Sequence, residues 1–343
     1  MMEMHKLLKL AVDRGASDLH LSSGSSIMLR VHGVMAKLED RTAEKTVVQN
    51  LLEQVLTPHQ STELEKYREL DFALNLPEIG RFRVNVYHQR QGMGGAFRVI
   101  PEKIPTMADL GLPNVMRELI DLENGVILVT GPTGSGKSTT LAAMIDYINT
   151  EKDGHIITVE DPIEFIHYSK KCLVNQREVG TDTPSFASAL RSALREDPDY
   201  ILVGEMRDLE TIALALTAAE TGHLVFGTLH TSSAPKTVTR VIDAFPMAQQ
   251  DQIRIMFSDS IQGIIAQKLY PKKDQRGRVA AFEILVATQA MRNLIREQKI
   301  YQLESVIQTG RQCGMQSLEQ SRRKLVSDGV LSPEFLEDRM TLY

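Results

Sequence analysis

The residues of this 343-residue chain that could do chemistry are concentrated between positions 130 and 230. The stretch TGPTGSGKSTT at 130 to 140 sets Gly131, Gly136, Lys137 and Ser138 in the spacing G-x-x-x-x-G-K-[ST]. A loop with that spacing wraps phosphates in backbone N–H groups. Gly131, Gly134 and Gly136 permit positive φ and close backbone approach, Lys137 can reach the β- and γ-phosphates, and Ser138 offers a hydroxyl to Mg²⁺. The expected cradle for a nucleotide such as ATP therefore runs through Gly131, Pro132, Thr133, Gly134, Ser135, Gly136, Lys137, Ser138 and Thr139. A helix beginning at its end would add a dipole that favours the phosphates.

Transfer of a phosphoryl group to water needs more: a carboxylate for the metal, a group that orients or deprotonates the water, and cations on the developing charge. YILVGE puts Glu205 directly after an apolar run, where the metal carboxylate of such sites stands, although the general pattern has Asp there. HIITVEDPIEF supplies Glu160, Asp161 and Glu164 just past another apolar run, with Pro162 directing the chain away from helix. Three acids in five residues commonly form a solvated turn; beside a phosphate loop one of them is a credible base, with Glu164 favoured over Glu160.

Arginines supply the cations. Arg191 and Arg195 in ALRSALREDPD stand at i and i+4, which predicts one side of one helix. Arg81 and Arg83 alternate with Phe82, Val84 and Val86, with Arg98 expected on a neighbouring strand. The bland alternatives are surface ion pairs and a solvated sheet face. His223 and His230 bracket LVFGTLH, and without a further ligand two histidines at that spacing make no metal site.

The elements around these residues predict a two-part chain. GVILVT, HIITVE, YILVGE and LVFGTLH are short apolar runs separated by helical periodicity, such as Leu141, Ile145 and Ile148 after the glycine loop. That pattern predicts a parallel sheet covered on both faces over 114–343, with RVAAFEIL at 278 to 285 adding a strand or ribbon and short helices from about 286 onward. Residues 1–100 instead alternate in MLRVHGVM, RFRVNVYHQ and GAFRVI, with a helix over TVVQNLLEQVL, and read as a small α+β domain with a mostly antiparallel sheet. Met4, Leu7, Leu8 and Ala11 make one face of a first helix. Pro101, Pro105 and Pro113 mark 101–113 as the linker.

Composition excludes several classes. Apolar residues make up 42% and charged residues 24%, which argues against extensive disorder, and a net charge of −5 argues against a nucleic-acid footprint. Cys172 and Cys313 are the only cysteines and form no CxxC pair, so no zinc ribbon is expected and a reducing cytoplasm suits the chain. No run of 18 apolar residues predicts a membrane span, and the first residues do not read as a secretory signal.

Taken together, GPTGSGKS, EDPIE, LVGEMRD and the segment from His223 to His230 resemble the Walker A, aspartate box, atypical Walker B and histidine box of the hexameric secretion ATPases that drive type IV pili and type II secretion. In that family Glu at the position of Glu205 is a regular feature. AMRNLIRE at 290 to 297 is similar to the AIRNLIRE signature of its pilus-retraction branch, departing at Met291. The assembly motors carry a long extra N-terminal region and a four-cysteine zinc site, neither of which is read here; an accessory retraction paralogue is the nearest alternative.

The resemblance implies an α/β chain with a PAS-like N-terminal domain and a RecA-like P-loop domain bearing C-terminal helices. It implies a homo-hexamer that hydrolyses ATP with Mg²⁺ to power pilus retraction and twitching motility. It makes Glu164 the general base, Glu205 and Ser138 the Mg²⁺ groups, Lys137 the phosphate clamp, and His230 a phosphate sensor. Arg83, Arg98, Arg191 and Arg195 become charge stabilisers. The implied partners are an inner-membrane platform protein (PilC-like), through which the motor acts on pilin, and a paralogous retraction ATPase; the implied place is the cytoplasmic face of the inner membrane. Rival classes are a RecA-like nucleic-acid translocase, a small-molecule kinase or GTPase, for which no NKxD guanine motif is present, and a nucleotide-binding module without turnover.

Overall fold

The structure, a computed structural model, describes residues 3–31, 33–100, 103–274 and 277–336. It separates into two compact units, Met1–Lys103 with Glu164–Ile166, and Ile104–Ile163 with His167–Tyr343.

The first unit is an antiparallel sheet with three helices. Its strands β1 (Ala16–Ser22), β2 (Ser26–Val31), β3 (Val34–Thr42), β4 (Glu69–Leu76), β5 (Gly80–Gln89) and β6 (Gly92–Ile100) lie in the order β3-β2-β1-β6-β5-β4. Helices α1 (Met4–Asp13), α2 (Lys45–Glu53) and α3 (Pro58–Tyr67) accompany them. Met4, Leu7, Leu8 and Ala11 are the buried face of α1, as their spacing predicts. On β5, Phe82, Val84 and Val86 are fully buried while Arg81, Arg83 and Asn85 are half-buried on the other face. The segment 28–35, read from sequence as one strand, is a hairpin: β2 ends at Val31 and β3 begins at Val34, with Gly33 at a φ of 85°. A glycine takes that conformation without strain, so the apolar alternation continues across a turn that periodicity alone does not reveal.

The second unit holds a seven-stranded sheet in the order β13-β12-β7-β11-β10-β8-β9. Its strands are β7 (Gly125–Thr130), β8 (Gly154–Glu160), β9 (Cys172–Glu178), β10 (Tyr200–Val203), β11 (Leu224–Leu229), β12 (Ile261–Pro271) and β13 (Arg278–Val286). All neighbours are parallel except the β12–β13 ribbon. Every residue of β7 and β11 is buried, as expected for strands covered on both faces. Each Val, Leu or Ile so buried contributes about 1.5–3 kcal/mol.

One face carries α4 (Val115–Ile120) and α5 (Lys137–Glu151), packed through Met116, Leu141, Met144, Ile145 and Ile148. The other carries α6 (Phe186–Ala193), α7 (Leu209–Glu220), α8 (Ala234–Asp243) and α9 (Met247–Ser260), followed by α10 (Gln289–Arg296) and α11 (Leu303–Thr309), around Leu216, Val238, Phe257 and Ile295. A last helix, α12 (Leu318–Ser327), ends before Gly329, whose φ is 73°. Of the short helices expected after about 286, the one at SPEFLEDR (332 to 339) shows a single 3₁₀ turn at Pro333–Leu336, and its remainder lies outside the described residues. Among the described residues no helix is long and apolar enough to cross a membrane.

Candidate active site

The glycine loop follows β7 and leads into α5. Gly131, Gly134 and Gly136 have φ of 148°, 76° and 89°. At Gly131 the reason is also steric: a Cβ there would stand 2.5 Å from the Gln267 carbonyl oxygen and 2.6 Å from Ser135 Oγ. Gln267, on the neighbouring β12, supports the loop a second time by donating from Nε2 to the Ser135 carbonyl at 2.6 Å. Lys137 Nζ donates to the carbonyls of Gly131 (2.9 Å) and Pro132 (3.2 Å), so the lysine stretches back over its own loop.

The helix behind the loop is left open. Helices α6, α7, α8 and α10 each begin at Ser185, Asp208, Ser233 or Thr288, whose side chain accepts a first-turn N–H. Helix α5 begins at Gly136 with no side-chain cap. Its first-turn donors thus carry no side-chain cap and are open to an anion, and the exposed Ser138 hydroxyl sits in that turn. The loop fits a nucleotide's phosphates: small residues where backbone must come close, donors uncapped, and a cation folded over the top.

Register brings the other groups to the same edge. Thr130 pairs with Leu229, Val203 with Gly227 and with Val159, so β7, β11, β10 and β8 end together and deliver Gly131, His230, Glu205 and Asp161 to the carboxyl edge. Ligands of parallel α/β sheets bind along this edge. Around Glu205 the backbone is fixed by Gly204 N–H donating to the Val159 carbonyl (2.8 Å) and Met206 N–H donating to that of Thr228 (3.0 Å). Gly227 has no Cβ, which leaves room for Met206 Sδ.

The Glu205 carboxylate is held by two side chains. His230 Nε2 lies 2.9 Å from one oxygen, and Arg207 reaches both oxygens, Nε at 2.6 Å and Nη2 at 2.7 Å. Burial pushes the carboxyl up, but the hydrogen bond and charge of Arg207, with those of His230, outweigh it and hold the group below the usual carboxylate range. A group so placed stays ionised and is a poor proton acceptor. It opens on a cleft of about 330 Å³ lined also by Met206, Leu229, Thr231 and Arg240. Arg207 and Gln267 were not singled out by sequence reasoning. The signal for Arg207 is its place two residues after Glu205 in extended chain; Gln267 has no local signal, because it lies 132 residues from Ser135.

Of the three acids at the end of β8, Glu160, its last residue, is bound: Thr158 Oγ1 donates to it at 2.7 Å and Gln176 Nε2 at 3.1 Å. Asp161 is exposed and Glu164 half-buried. Glu164 makes no hydrogen bond or ion pair to the described residues, so its lone pairs are available.

Comparison with known proteins then places the chain. The profile of the type II/IV secretion system proteins matches residues 2–338. The type IV pilus retraction ATPase PilT of Pseudomonas aeruginosa is 54% identical over 97% of this chain and 96% of its own length. The chain belongs to the type II/IV secretion system protein family. The type IV pilus ATPase PilU of the same organism is 38% identical, over 97% of this chain and 87% of its own. A crystal structure of the pilus retraction motor PilT with bound ADP superposes with a TM-score of 0.90 and 49% identity, covering 97% of this chain and 96% of that one. The fold is accordingly the mixed α/β arrangement of this family, an N-terminal domain and a RecA-like ATPase domain.

In this secretion system protein each predicted arginine is engaged, half-buried or exposed within its own unit. Arg191, on α6, pairs with Glu210 on α7. Helix α6 stops at Ala193, so Arg195 stands exposed in the following turn rather than on the same helix; Asp197 takes a φ of 55° and Pro198 follows, which ends helical geometry. In the first unit Arg83 lies opposite Arg98 across β5 and β6, and Arg98 Nε donates to Asp18 at 3.0 Å. His223 is at the far end of β11 from His230, with its Nδ1 2.8 Å from the Ala218 carbonyl oxygen, so the two histidines share no site. In AMRNLIRE, Arg292 donates to the carbonyls of Ser258 and Asp259, and Arg296 donates to Ser258 Oγ at 3.1 Å and pairs with the Asp259 carboxylate. The motif thus closes the C-terminal end of α9, where helix carbonyls lack partners and the dipole favours cations.

Proposed function

We propose that this chain is an ATP-hydrolysing motor that powers type IV pilus retraction. It works as a homo-hexamer at the cytoplasmic face of the inner membrane, against a PilC-like platform protein and, through it, on pilin. The observation that carries the reading is the meeting of the Gly131–Ser138 loop with Glu205 and His230 at one sheet edge. The greater likeness to the retraction ATPase than to its accessory paralogue favours the main motor.

In the mechanism, loop N–H groups and the first turn of α5 bind the β- and γ-phosphates. Lys137 exchanges the carbonyls of Gly131 and Pro132 for a phosphate oxygen. Ser138 and Glu205 would hold Mg²⁺, which when bound neutralises charge on the β- and γ-oxygens. Glu205, kept ionised by Arg207 and His230, would be a metal carboxylate rather than the acceptor of the water's proton. Glu164 accepts the proton of the attacking water. His230, already on Glu205, senses whether the γ-phosphate is present. Arg83, Arg98, Arg191 and Arg195 stabilise the leaving charge, those of the first unit acting on a neighbouring subunit's nucleotide. Turnover then changes the angle between domains across 101–113 and drives the platform.

The test uses purified protein with ATP, with and without Mg²⁺. Wild type is expected to turn over only with the metal, and Glu205→Ala to lose that activity; a Glu205→Ala protein as fast as wild type sinks the mechanism. Turnover raised severalfold by single- or double-stranded DNA would instead support a nucleic-acid translocase.

A further inference from the structure

Strand β9 is the outer strand of the second sheet, paired with β8 alone. Gln176 and Glu178, two residues apart, share one of its faces, and Glu178 is 9% exposed. Both side chains are aimed at the segment that carries Glu164. The Gln176 amide works at two points: Oε1 accepts from the His167 backbone N–H at 2.7 Å, and Nε2 donates to Glu160 Oε1 at 3.1 Å. Only one orientation of the amide satisfies both, because the N–H needs an acceptor and the carboxylate a donor. Glu178 Oε2 accepts from the Ile163 N–H at 3.0 Å. The segment is therefore pinned by its backbone at residue 163, directly before Glu164, and at residue 167, and by the Glu160 side chain at its start. All three pins come from two side chains of one strand.

We propose that Gln176 and Glu178 are positioning residues, which hold the 160–167 backbone so that the Glu164 carboxylate meets the attacking water in one place. The inference rests on the reading of Glu164 as the base. A base on an unpinned loop must be ordered anew in each turnover, and misplacement by about 1 Å can cost about 10²-fold in rate. Nucleotide binding, by contrast, depends on the glycine loop and should be indifferent to β9.

The experiment measures kcat, KM for ATP and the thermal midpoint of the full chain carrying Gln176→Leu, alone and together with Glu164→Gln. The expected result is a fall in kcat of about 10- to 100-fold with KM unchanged. On the Glu164→Gln background the same substitution should cost nothing further, since the group it positions is already gone. Should the Leu variant not fold, Gln176→Glu keeps the His167 contact and replaces the Glu160 contact by charge repulsion, and the same readings apply. A kcat within twofold of wild type, an equal loss in KM, or an additional loss on the Glu164→Gln background overturns the proposal. Wild-type turnover by Glu164→Gln alone overturns the base assignment, and the positioning role falls with it.

Discussion

The loop at 131–138 and the loop at 161–167 leave the same carboxyl edge of one sheet, and they are held by opposite means. The first is held by its carbonyls and its glycines: positive φ at Gly131, Gly134 and Gly136, Lys137 donating to the carbonyls of Gly131 and Pro132, and Gln267 donating to that of Ser135, which leaves N–H groups for phosphate. The second is held by side chains of β9, through Gln176 and Glu178, and by the burial of His167. The difference follows from what each loop presents. A loop that binds phosphate with its own N–H groups cannot also be tied by them, so steric constraint must shape it. A loop that presents a carboxylate can have its N–H groups tied, provided the carboxylate itself is left free.

This contrast sets the ranking of expected effects. Removing the cation of the first loop, Lys137→Ala, should lower ATP turnover by about 10²- to 10³-fold, about 3–4 kcal/mol, while the thermal midpoint stays within a few degrees. Intact turnover would mean that the loop's lysine serves structure only.

The second loop should be the acid-sensitive one. His167 is buried, 4.0 Å from Asp146, and burial, helped by the charge of Lys170 and opposed by Asp146, pushes its imidazole down to about 4. An unfolded histidine titrates near 6.5, so between about pH 6.5 and 4 the unfolded chain binds a proton that the folded chain refuses. Stability is therefore full above that window and falls within it by roughly 3 kcal/mol. His167→Gln should flatten this part of the curve of thermal midpoint against pH; parallel curves for the two proteins would show that another group controls it.

Gly131→Ala tests the steric account of the first loop. With a Cβ set 2.5 Å from the Gln267 carbonyl oxygen and a φ of 148°, it should destabilise by about 1–3 kcal/mol and weaken nucleotide binding, whereas Gly134→Ala meets no atom within 4 Å and should be limited to the strain of its positive φ. Equal midpoints for the two variants would refute the crowding.

The smallest effect belongs to Arg207→Ala. Glu205 is held below the usual range, so its contribution is present above the unfolded glutamate value and is lost as pH falls through the folded one. With Arg207 70% exposed, removing it should cost about 0.2–1 kcal/mol at neutral pH and make the midpoint less steep on the acid side. Unchanged acid dependence would assign the shift to His230.

The same contrast explains what the sequence disclosed. The glycine loop is local: strand, loop and helix occupy 125–151 without interruption, and each residue type answers to a constraint set by its immediate neighbours. GVILVT coincides with β7 in full. The pins of the second loop are not local. Gln176 lies 16 residues from Glu160, and β9 reads CLVNQRE, too polar for a buried-strand pattern because it is an edge strand with working side chains. Strands β1, β4, β9 and β12 escaped the reading for related reasons: charges or small residues interrupt their alternation, and pairing with distant strands supplies what propensity does not. The alternation of Arg81, Phe82, Arg83 and Val84 was legible because half-buried antiparallel strands impose it, and Arg83 does stand across from Arg98.

The central claim is that ATP handled at this edge drives retraction, and its most direct test is a count of surface pili. Cells whose only copy carries Lys137→Ala are compared with wild-type cells for pili per cell and for surface movement. The account predicts many unretracted pili together with lost surface motility. Bald cells would contradict it, because they would place the same ATP chemistry in the service of assembly.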